Sequence, residues 1–177
     1  MALMTGDAYL DSLRDGRNVF LDGEKIADVT AHRAFRNAAR SIASLYDALH
    51  GEHRERLTAP DARGQITHRF FKPSYSVGDL LAAQDAIELW SKMTYGFMGR
   101  TPDYKAAFMS GLEAGAGCYG EYRQNAVDWH RRFASRALYL NHALINPPFD
   151  RSIAIHDMRD VFVHIVAETD RGIVSDA

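Results

Sequence analysis

The chain has 177 residues, 46% of them apolar and 25% charged, which is an ordinary globular composition for one domain, or for one domain and part of another. Lys and Arg number 21 against 23 Asp and Glu, and the resulting net charge of -2 provides no basic field for a nucleic-acid partner. The single cysteine, Cys118, excludes an intramolecular disulfide or a multi-cysteine metal site built by this chain alone, and it suits a reducing cytosol. Since neither a signal-peptide pattern nor a run of about 18 apolar residues occurs, we expect a cytoplasmic protein that does not span a membrane.

The N-terminal segments predict short elements followed by one long helix. Thr5 can cap a short first helix. Asp22-Gly23, the dipeptide that tolerates the positive φ angles of a tight type I′ turn, predicts a hairpin of two short strands. The three-to-four spacing of apolar residues then predicts an amphipathic helix from Thr30 to about Leu49.

A polar segment separates this helix from the next one. From Glu52 to Ser74, prolines and polar residues predict a long ordered loop. Ser76 and Asp79 have the spacing of a capping box, which predicts a helix that continues until Gly99. The residues expected on its buried face are Leu80, Ala83, Ile87, Trp90, Thr94 and Phe97.

The second half of the chain predicts two helices and a hairpin. Thr101 as N-cap and Pro102 in the first turn predict a helix that reaches about Cys118, with a break in the glycine-rich stretch 117–120. A further helix is expected from about Glu121 to Leu140, and alternating apolar residues in the tail, 161–174, predict a hairpin. The apolar side expected for the last helix consists of Val127, His130, Phe133, Ala137 and Leu140.

The start of the helix predicted at Thr101 is the first candidate site. Arg100 would precede this helix and Tyr104 would lie in its first turn, so a guanidinium, a phenol and backbone N–H groups would share one helix N-terminus. Such an arrangement stabilises oxyanions, for example a phenolate or a carboxylate. The alternative is a surface arginine beside a capped helix whose tyrosine belongs to the core.

His142 is the second candidate, because it ends an apolar helical segment just before a loop stiffened by two prolines. An imidazole there, with its pKa near the working pH, could face a ligand. A lone histidine in an apolar run is, however, more often a core residue. Other signals favour structural roles. We expect Cys118 to be a small buried thiol, Trp129 to belong to the core, and the pair His50 and His53 not to hold a metal.

Several blocks of sequence together resemble one known family. The most specific are Met98-Gly-Arg-Thr-Pro-Asp-Tyr-Lys-Ala-Ala-Phe and Asn141-His-Ala-Leu-Ile-Asn-Pro-Pro-Phe-Asp-Arg. With the blocks at 5–17, 19–26, 28–30, 35–41, 67–71 and 168–174, they look like the N-terminal region of the 4-hydroxyphenylacetate 3-hydroxylase family. The resemblance extends over essentially the whole chain and keeps the family's order.

The resemblance implies a fold class. We expect a mainly α protein, the helical N-terminal domain of an acyl-CoA-dehydrogenase-like fold, with a small N-terminal hairpin and the first strands of a β-domain at the C-terminus. The implied boundaries are 1–145 for the helical domain and 146–177 for a linker and the start of the β-domain.

The resemblance also implies an activity. Members are two-component flavin monooxygenases of aromatic catabolism: a separate flavin reductase supplies reduced FAD, and a C4a-hydroperoxide formed with molecular oxygen hydroxylates a phenol, such as 4-hydroxyphenylacetate, beside its hydroxyl. Carried over to this chain, Arg100, Tyr104 and His142 would surround the phenol and the flavin. The residues implied to approach FAD are His142, Asn146, Pro148, Asp150 and Arg151.

Family members have several hundred residues and usually assemble as tetramers. We therefore expect this chain to be the N-terminal part of such an enzyme, inactive by itself, or a natural short paralogue. The related 4-hydroxybutyryl-CoA dehydratases hold an iron–sulfur cluster with cysteines in this region, and the single Cys118 disfavours that chemistry. The alternative from a different class is a non-catalytic helical module that binds a partner through an exposed apolar surface.

Overall fold

The computed structural model of the chain describes residues 2–98, 102–141, 150, 152–154, 157, 158, 164–170 and 172–176. The chain divides into two compact units, Met1–Leu140 and Asn141–Ala177, and each is described by itself. Among the described residues, the α-helices are α1 Gly6–Ser12, α2 Arg36–Ala48, α3 Arg54–Leu57, α4 Val77–Met93, α5 Asp103–Ala114 and α6 Arg123–Ala134, with 3₁₀-helices at Arg69–Phe71 and Ala116–Tyr122. The described strands form antiparallel pairs and are β1 Val19–Leu21, β2 Glu24–Ile26, β3 Thr58–Pro60, β4 Ile66–His68, β5 His164–Thr169 and β6 Gly172–Asp176.

The two predicted N-terminal elements are confirmed. The Thr5 hydroxyl accepts the Ala8 N–H and caps α1. The β1–β2 hairpin turns at Asp22 and Gly23, whose φ angles are 52° and 83°. Positive φ at both central residues is what a type I′ turn requires, and this is why Asp-Gly marks the hairpin in the sequence.

The predicted start of α2 is wrong by six residues. The helix begins at Arg36, not at Thr30. The backbone N–H and the hydroxyl of Thr30 both donate to Asp28 Oδ1, at 2.7 and 2.6 Å, and thus close a turn around the aspartate. Asx turns of this kind compete with helix initiation for the same polar groups, which explains the later start.

The segment between α2 and α4 contains more regular structure than the loop that the sequence predicts. It forms α3, the short β3–β4 ladder in which Thr58 is paired with His68, and a 3₁₀-helix. The Arg69 guanidinium holds these pieces together, because it donates to the carbonyls of Glu55, Arg56 and Thr58 at 2.7–2.8 Å. The polar local sequence does not reveal this order, because the stabilising bonds come from a side chain 11–14 residues away.

The capping box at the start of α4 is confirmed, but the predicted end and buried face are not. The helix ends at Met93, and the chain turns away through Tyr95 and Gly96, whose φ angles are 52° and 70°. The predicted face is confirmed only in part: Trp90 is buried and Ala83 is partly buried, whereas Leu80 is 60% and Phe97 93% exposed. Apolar residues occur on more than one side of α4, so periodicity alone does not determine which side is buried. The buried residues of the helix are Ala86, Leu89 and Trp90.

The capping box allows a first prediction about stability. Ser76 Oγ accepts the Asp79 N–H at 3.1 Å, so Ser76→Ala should lower the free energy of unfolding by about 1 kcal/mol. Urea unfolding followed by circular dichroism measures the change. The matched control is Ser91→Ala inside α4, where alanine is the better helix former and no loss is expected. Equal stability of Ser76→Ala and the parent chain would contradict the prediction.

Glycines divide the region after α5, as the sequence predicts, although at different places. The helix ends at Ala114 rather than near Cys118, and the next turns are 3₁₀, with Gly120 at a φ of 53°. Two expected side-chain positions are wrong: Cys118 is exposed, and Trp129 is 48% exposed.

The last helix of the first unit, α6, is shorter than predicted at its C-terminal end. It ends at Ala134, and Ala137 adopts a φ of 50°. The Leu138 N–H donates to the Phe133 carbonyl and the Ala137 N–H to the Ala134 carbonyl, which is a Schellman motif with alanine in the place that glycine usually takes. His130 is buried, as its place on the predicted apolar side indicates.

The core of the first unit joins α2, α4, α5 and α6 to the 3₁₀ turn after β4. Its buried members are Met4, Ile42, Leu45, Tyr46, Leu49, Leu57, Phe70, Phe71, Ala86, Leu89, Trp90, Ala106, Ala134 and Ala137. No helix in the part of the chain that the structure describes is long and apolar enough to cross a membrane.

The described strands of the second unit form the hairpin that the sequence predicts for the tail. β5 and β6 pair from His164 opposite Asp176 to Thr169 opposite Gly172, with an irregularity between Ile165 and Ala167. Gly172 has a φ of 131°, a conformation that favours glycine at this turn.

Candidate functional site

Tyr104 is the predicted site residue whose surroundings the structure describes best. It lies in the first turn of α5 and is half-buried, with the Phe108 ring edge-on at 5.5 Å between centroids. The Lys105 ammonium lies 5.2 Å from the centre of the Tyr104 ring and 4.8 Å from that of Phe108. A phenol beside a cation at the positive end of a helix is well suited to hydrogen-bond an anionic oxygen.

The start of α5 departs from the prediction in one respect. The helix begins at Asp103 after Pro102, which provides no side-chain cap. Thr101, the predicted cap, and Arg100 lie outside the described residues.

Two polar side chains hold α5 and α6 against the 3₁₀ turn at Arg69–Phe71. The buried hydroxyl of Ser110 donates to the Phe70 carbonyl at 2.7 Å. Nε2 of His130, on α6, donates to the Phe71 carbonyl at 2.8 Å, and His130 is 1% exposed. These bonds satisfy two carbonyls of the turn, and the Ser110 bond fixes the helix that carries Tyr104.

His130 also faces Glu113 of α5. Nδ1 of the imidazole and Oε2 of the carboxylate are 3.1 Å apart, and neither atom has a hydrogen-bond partner among the described residues. Because Nε2 is already a donor, a neutral imidazole would present a lone pair to a carboxylate lone pair. A proton shared by the two atoms would turn this contact into a hydrogen bond between α5 and α6.

Tyr46 of α2 fixes the chain that leaves α6. Its buried hydroxyl donates to the Ala137 carbonyl and accepts the Tyr139 N–H, each at 2.8 Å. Burial raises the pKa of the Tyr46 phenol, so the group remains a neutral donor. The clamp holds the backbone three residues before His142 in the sequence.

A small cavity of about 20 Å³ lies inside the first unit, behind these elements. His68, Phe70 and Trp90 form an aromatic cluster on one side: the His68 ring stacks on Phe70 at 4.4 Å between centroids and is tilted by 45° to Trp90 at 4.2 Å. His68 Nδ1 accepts the Phe70 N–H at 3.2 Å, and burial lowers the pKa of this imidazole to about 3. His68 is therefore neutral at physiological pH.

The structure leaves most of the predicted constellation outside the described residues. Arg100, His142, Asn146, Pro148 and Arg151 all lie there. Asp150 is described and exposed; its Oδ1 accepts the Ser152 N–H at 2.9 Å and the Ser152 hydroxyl at 2.7 Å, and these bonds hold the pKa of the carboxyl below its usual range. Tyr104 and Asp150 belong to different units.

Sequence reasoning missed the polar groups that support the candidate site. Glu113, Ser110 and Tyr46 stand in otherwise apolar helix faces, and a polar residue in such a place is the signal that could have identified them. Within the described ranges, no group of three or more His, Cys, Asp or Glu side chains could hold a metal ion.

This fold is shared with flavin-dependent oxygenases of known structure. The oxygenase component (HpaB) of 4-hydroxyphenylacetate 3-monooxygenase, complexed with FAD and 4-hydroxyphenylacetate, matches 97% of this chain with a TM-score of 0.86 and 33% sequence identity. This likeness confirms the predicted acyl-CoA-dehydrogenase-like fold class.

The family follows from the sequence comparison. A family model described as 4-hydroxyphenylacetate 3-hydroxylase N terminal matches residues 5–175. The chain belongs to the 4-hydroxyphenylacetate 3-hydroxylase family, as its N-terminal region.

Two curated relatives show the range within the family. The pyoverdin chromophore biosynthetic protein PvcC of Pseudomonas aeruginosa is 72% identical over 98% of this chain, and the 4-hydroxyphenylacetate 3-monooxygenase oxygenase component of Klebsiella oxytoca is 48% identical over 97%. The chain spans 35% and 34% of the length of these two relatives and 37% of the HpaB chain.

Proposed function

We propose that this chain is the N-terminal, substrate-side part of a reduced-FAD-dependent monooxygenase that hydroxylates a phenol beside its hydroxyl. The observation that carries the proposal is the structural match, over 97% of the chain, to an oxygenase complexed with FAD and 4-hydroxyphenylacetate. A half-buried phenol beside an ammonium at a helix start, Tyr104 with Lys105, supports it, because such a pair favours a phenolate oxygen.

In this proposal the chain's residues bind the substrate and control its proton. Tyr104, with Arg100 and His142 completing the site, hydrogen-bonds the phenolic oxygen and favours the phenolate, whose electron density activates the ortho carbon. The Ser110 bond to the 3₁₀ turn holds the helix that carries Tyr104, the His130 bond holds α6, and the Tyr46 clamp holds the segment that leads to His142.

The chemistry of Asp150 fits the polar hydroxyl and N–H groups of FAD. The exposed Asp150 carboxylate is an acceptor that suits a hydroxyl or N–H group of the cofactor, not its phosphates. His142, Asn146, Pro148 and Arg151 complete the proposed contacts. When bound, reduced FAD supplies the electrons that activate oxygen.

The proposal includes partners. A separate flavin reductase supplies reduced FAD, molecular oxygen is the second substrate, and the assembled protein is a homo-oligomer, a tetramer, in the cytoplasm. The substrate is a small phenol of the 4-hydroxyphenylacetate class in aromatic metabolism. Since PvcC, at 72% identity, is named for biosynthesis of a pyoverdin chromophore, phenols derived from amino acids belong in the assay panel.

A chimera tests the proposal. Residues 5–175 of this chain replace the matching region of the Klebsiella oxytoca relative, and product formation is measured with reduced FAD, oxygen and a panel of phenols including 4-hydroxyphenylacetate and tyrosine. We expect hydroxylation of at least one phenol, and Tyr104→Phe should lower kcat about 100-fold because it removes one donor to the phenolic oxygen.

The matched control is Tyr122→Phe, which removes a hydroxyl from a 62% exposed tyrosine outside the site and should leave kcat unchanged. A folded chimera without activity on any phenol would contradict the proposed function and favour a non-catalytic module. Activity that tolerates Tyr104→Phe, Arg100→Met and His142→Ala would retain the function but overturn the assignment of its residues.

A further inference from the structure

The aromatic cluster of His68, Phe70 and Trp90 beside the small cavity contains two buried hydrogen-bond donors that have no use in the site described above. Nε2 of His68 and Nε1 of Trp90 are buried, and neither has a hydrogen-bond partner among the described residues. His68 is 3% and Trp90 3% exposed. A buried N–H without an acceptor costs about 1–3 kcal/mol, so two of them side by side call for a common explanation.

Both nitrogens carry protons. The indole nitrogen of tryptophan is always a donor. In His68, Nδ1 accepts the Phe70 N–H and so holds no proton, and the neutral ring must therefore carry its proton on Nε2. The two rings are tilted by 45° with 4.2 Å between their centroids, and both line the cavity of about 20 Å³.

The size and lining of the cavity restrict its ligand. About 10–15 Å³ is enough for one water molecule, so a cavity of about 20 Å³ matches a ligand of that size. The lining is otherwise mostly apolar and offers few competing donors. A ligand that accepts two hydrogen bonds, carries no charge and has the size of one oxygen atom meets these conditions.

We infer that this cavity is a binding site for a single water molecule that accepts hydrogen bonds from His68 Nε2 and Trp90 Nε1. Pro102 and Ala106 of the α5 region, together with Leu138 and Tyr139, line the same cavity. The water thus completes the core at the point where the helix of Tyr104 approaches the segment leading to His142. The inference does not depend on the proposed function, since it concerns only the protons of these two rings.

Nuclear magnetic resonance of the ¹⁵N-labelled chain tests the site through the indole protons. The sequence has two tryptophans, so Trp129→Phe, a change at a 48% exposed ring, assigns the two indole signals and leaves the core intact. We expect the Trp90 indole proton to show a cross-peak to water with opposite signs in the NOE and ROE spectra, as a long-lived bound water gives. Its exchange with solvent should be roughly 100-fold slower than that of Trp129.

The His68 Nε2 proton should give the same dipolar cross-peak, and His68→Phe should remove at least half of the Trp90 cross-peak because it deletes one of the two donors. A protected Trp90 indole proton without a cross-peak to water overturns the inference. So does a cross-peak of equal sign in both spectra, which reports chemical exchange alone. Because the wild-type chain gives the decisive signals, the test remains valid if His68→Phe does not fold.

Discussion

Replacing His130 by alanine should lower the free energy of unfolding of this chain by about 3–5 kcal/mol, although no predicted site residue is touched. The substitution removes a buried imidazole, leaves the Phe71 carbonyl without its donor and deprives the Glu113 carboxylate of its partner at 3.1 Å. Each loss is costly in a site where His130 is 1% exposed. Thermal and urea unfolding, monitored by circular dichroism, measure the effect.

Substitutions of Glu113 test the same contact from the side of α5. Glu113→Ala removes the side chain that faces Nδ1 and should cost more than Glu113→Gln, because the carboxamide of glutamine can donate to Nδ1 of a neutral imidazole. The matched control is His53→Ala, at a histidine that is 32% exposed and faces an exposed glutamate, where a change below about 1 kcal/mol is expected. A loss at His130 as small as that at His53 would show that the pair does not hold α5 against α6.

The sequence predicted those parts of the fold that local chemistry determines. The Asp22-Gly23 turn, the Ser76 capping box and the break at Gly120 depend on residues within one turn of each other, and all three are confirmed. The start of α2 was missed although its cause is also local, because Thr30 uses its hydroxyl in a turn with Asp28. A Thr signals a cap and a turn equally well.

The buried faces required information that the local sequence lacks. Leu80 and Trp90 both fit one helical stripe of α4, yet Leu80 is exposed and Trp90 is in the core. The choice depends on the 3₁₀ turn of Phe70, which packs against Trp90 from 20 residues away in the sequence. The exposed apolar residues on α4 indicate an interaction surface, and the helical pattern does not reveal what binds there.

For the candidate site, the sequence predicted the position of Tyr104 in the first turn of α5, but not the groups that fix it. Ser110 and His130 reach carbonyls 40 and 59 positions away, and no spacing rule connects such partners. Backbone carbonyls as acceptors are invisible in a sequence, since every residue has one. The supporting polar contacts could be found only in three dimensions.

The second large effect is a dependence of stability on pH that originates in His68. Burial lowers the pKa of its imidazole in the folded chain to about 3, with a smaller contribution from Arg69, while an unfolded histidine has a pKa of 6.5. Between these two pKa values the His68 imidazole binds a proton in the unfolded chain but not in the folded chain, so stability falls as pH decreases below 6.5. Above that pH the imidazole is neutral in both states and this contribution vanishes.

At about pH 4 the expected loss is about 3 kcal/mol relative to pH 8, because almost 2.5 pKa units are involved at about 1.4 kcal/mol each. His68→Asn isolates the contribution, since the amide oxygen can still accept the Phe70 N–H but does not titrate. The stability difference between the parent chain and His68→Asn should therefore shrink by about 3 kcal/mol from pH 8 to pH 4 in urea titrations, whatever the carboxylates contribute to both. Ser91→Ala, which alters no titratable group, should follow the parent at every pH, and parallel curves for His68→Asn would show that the imidazole is protonated inside the fold.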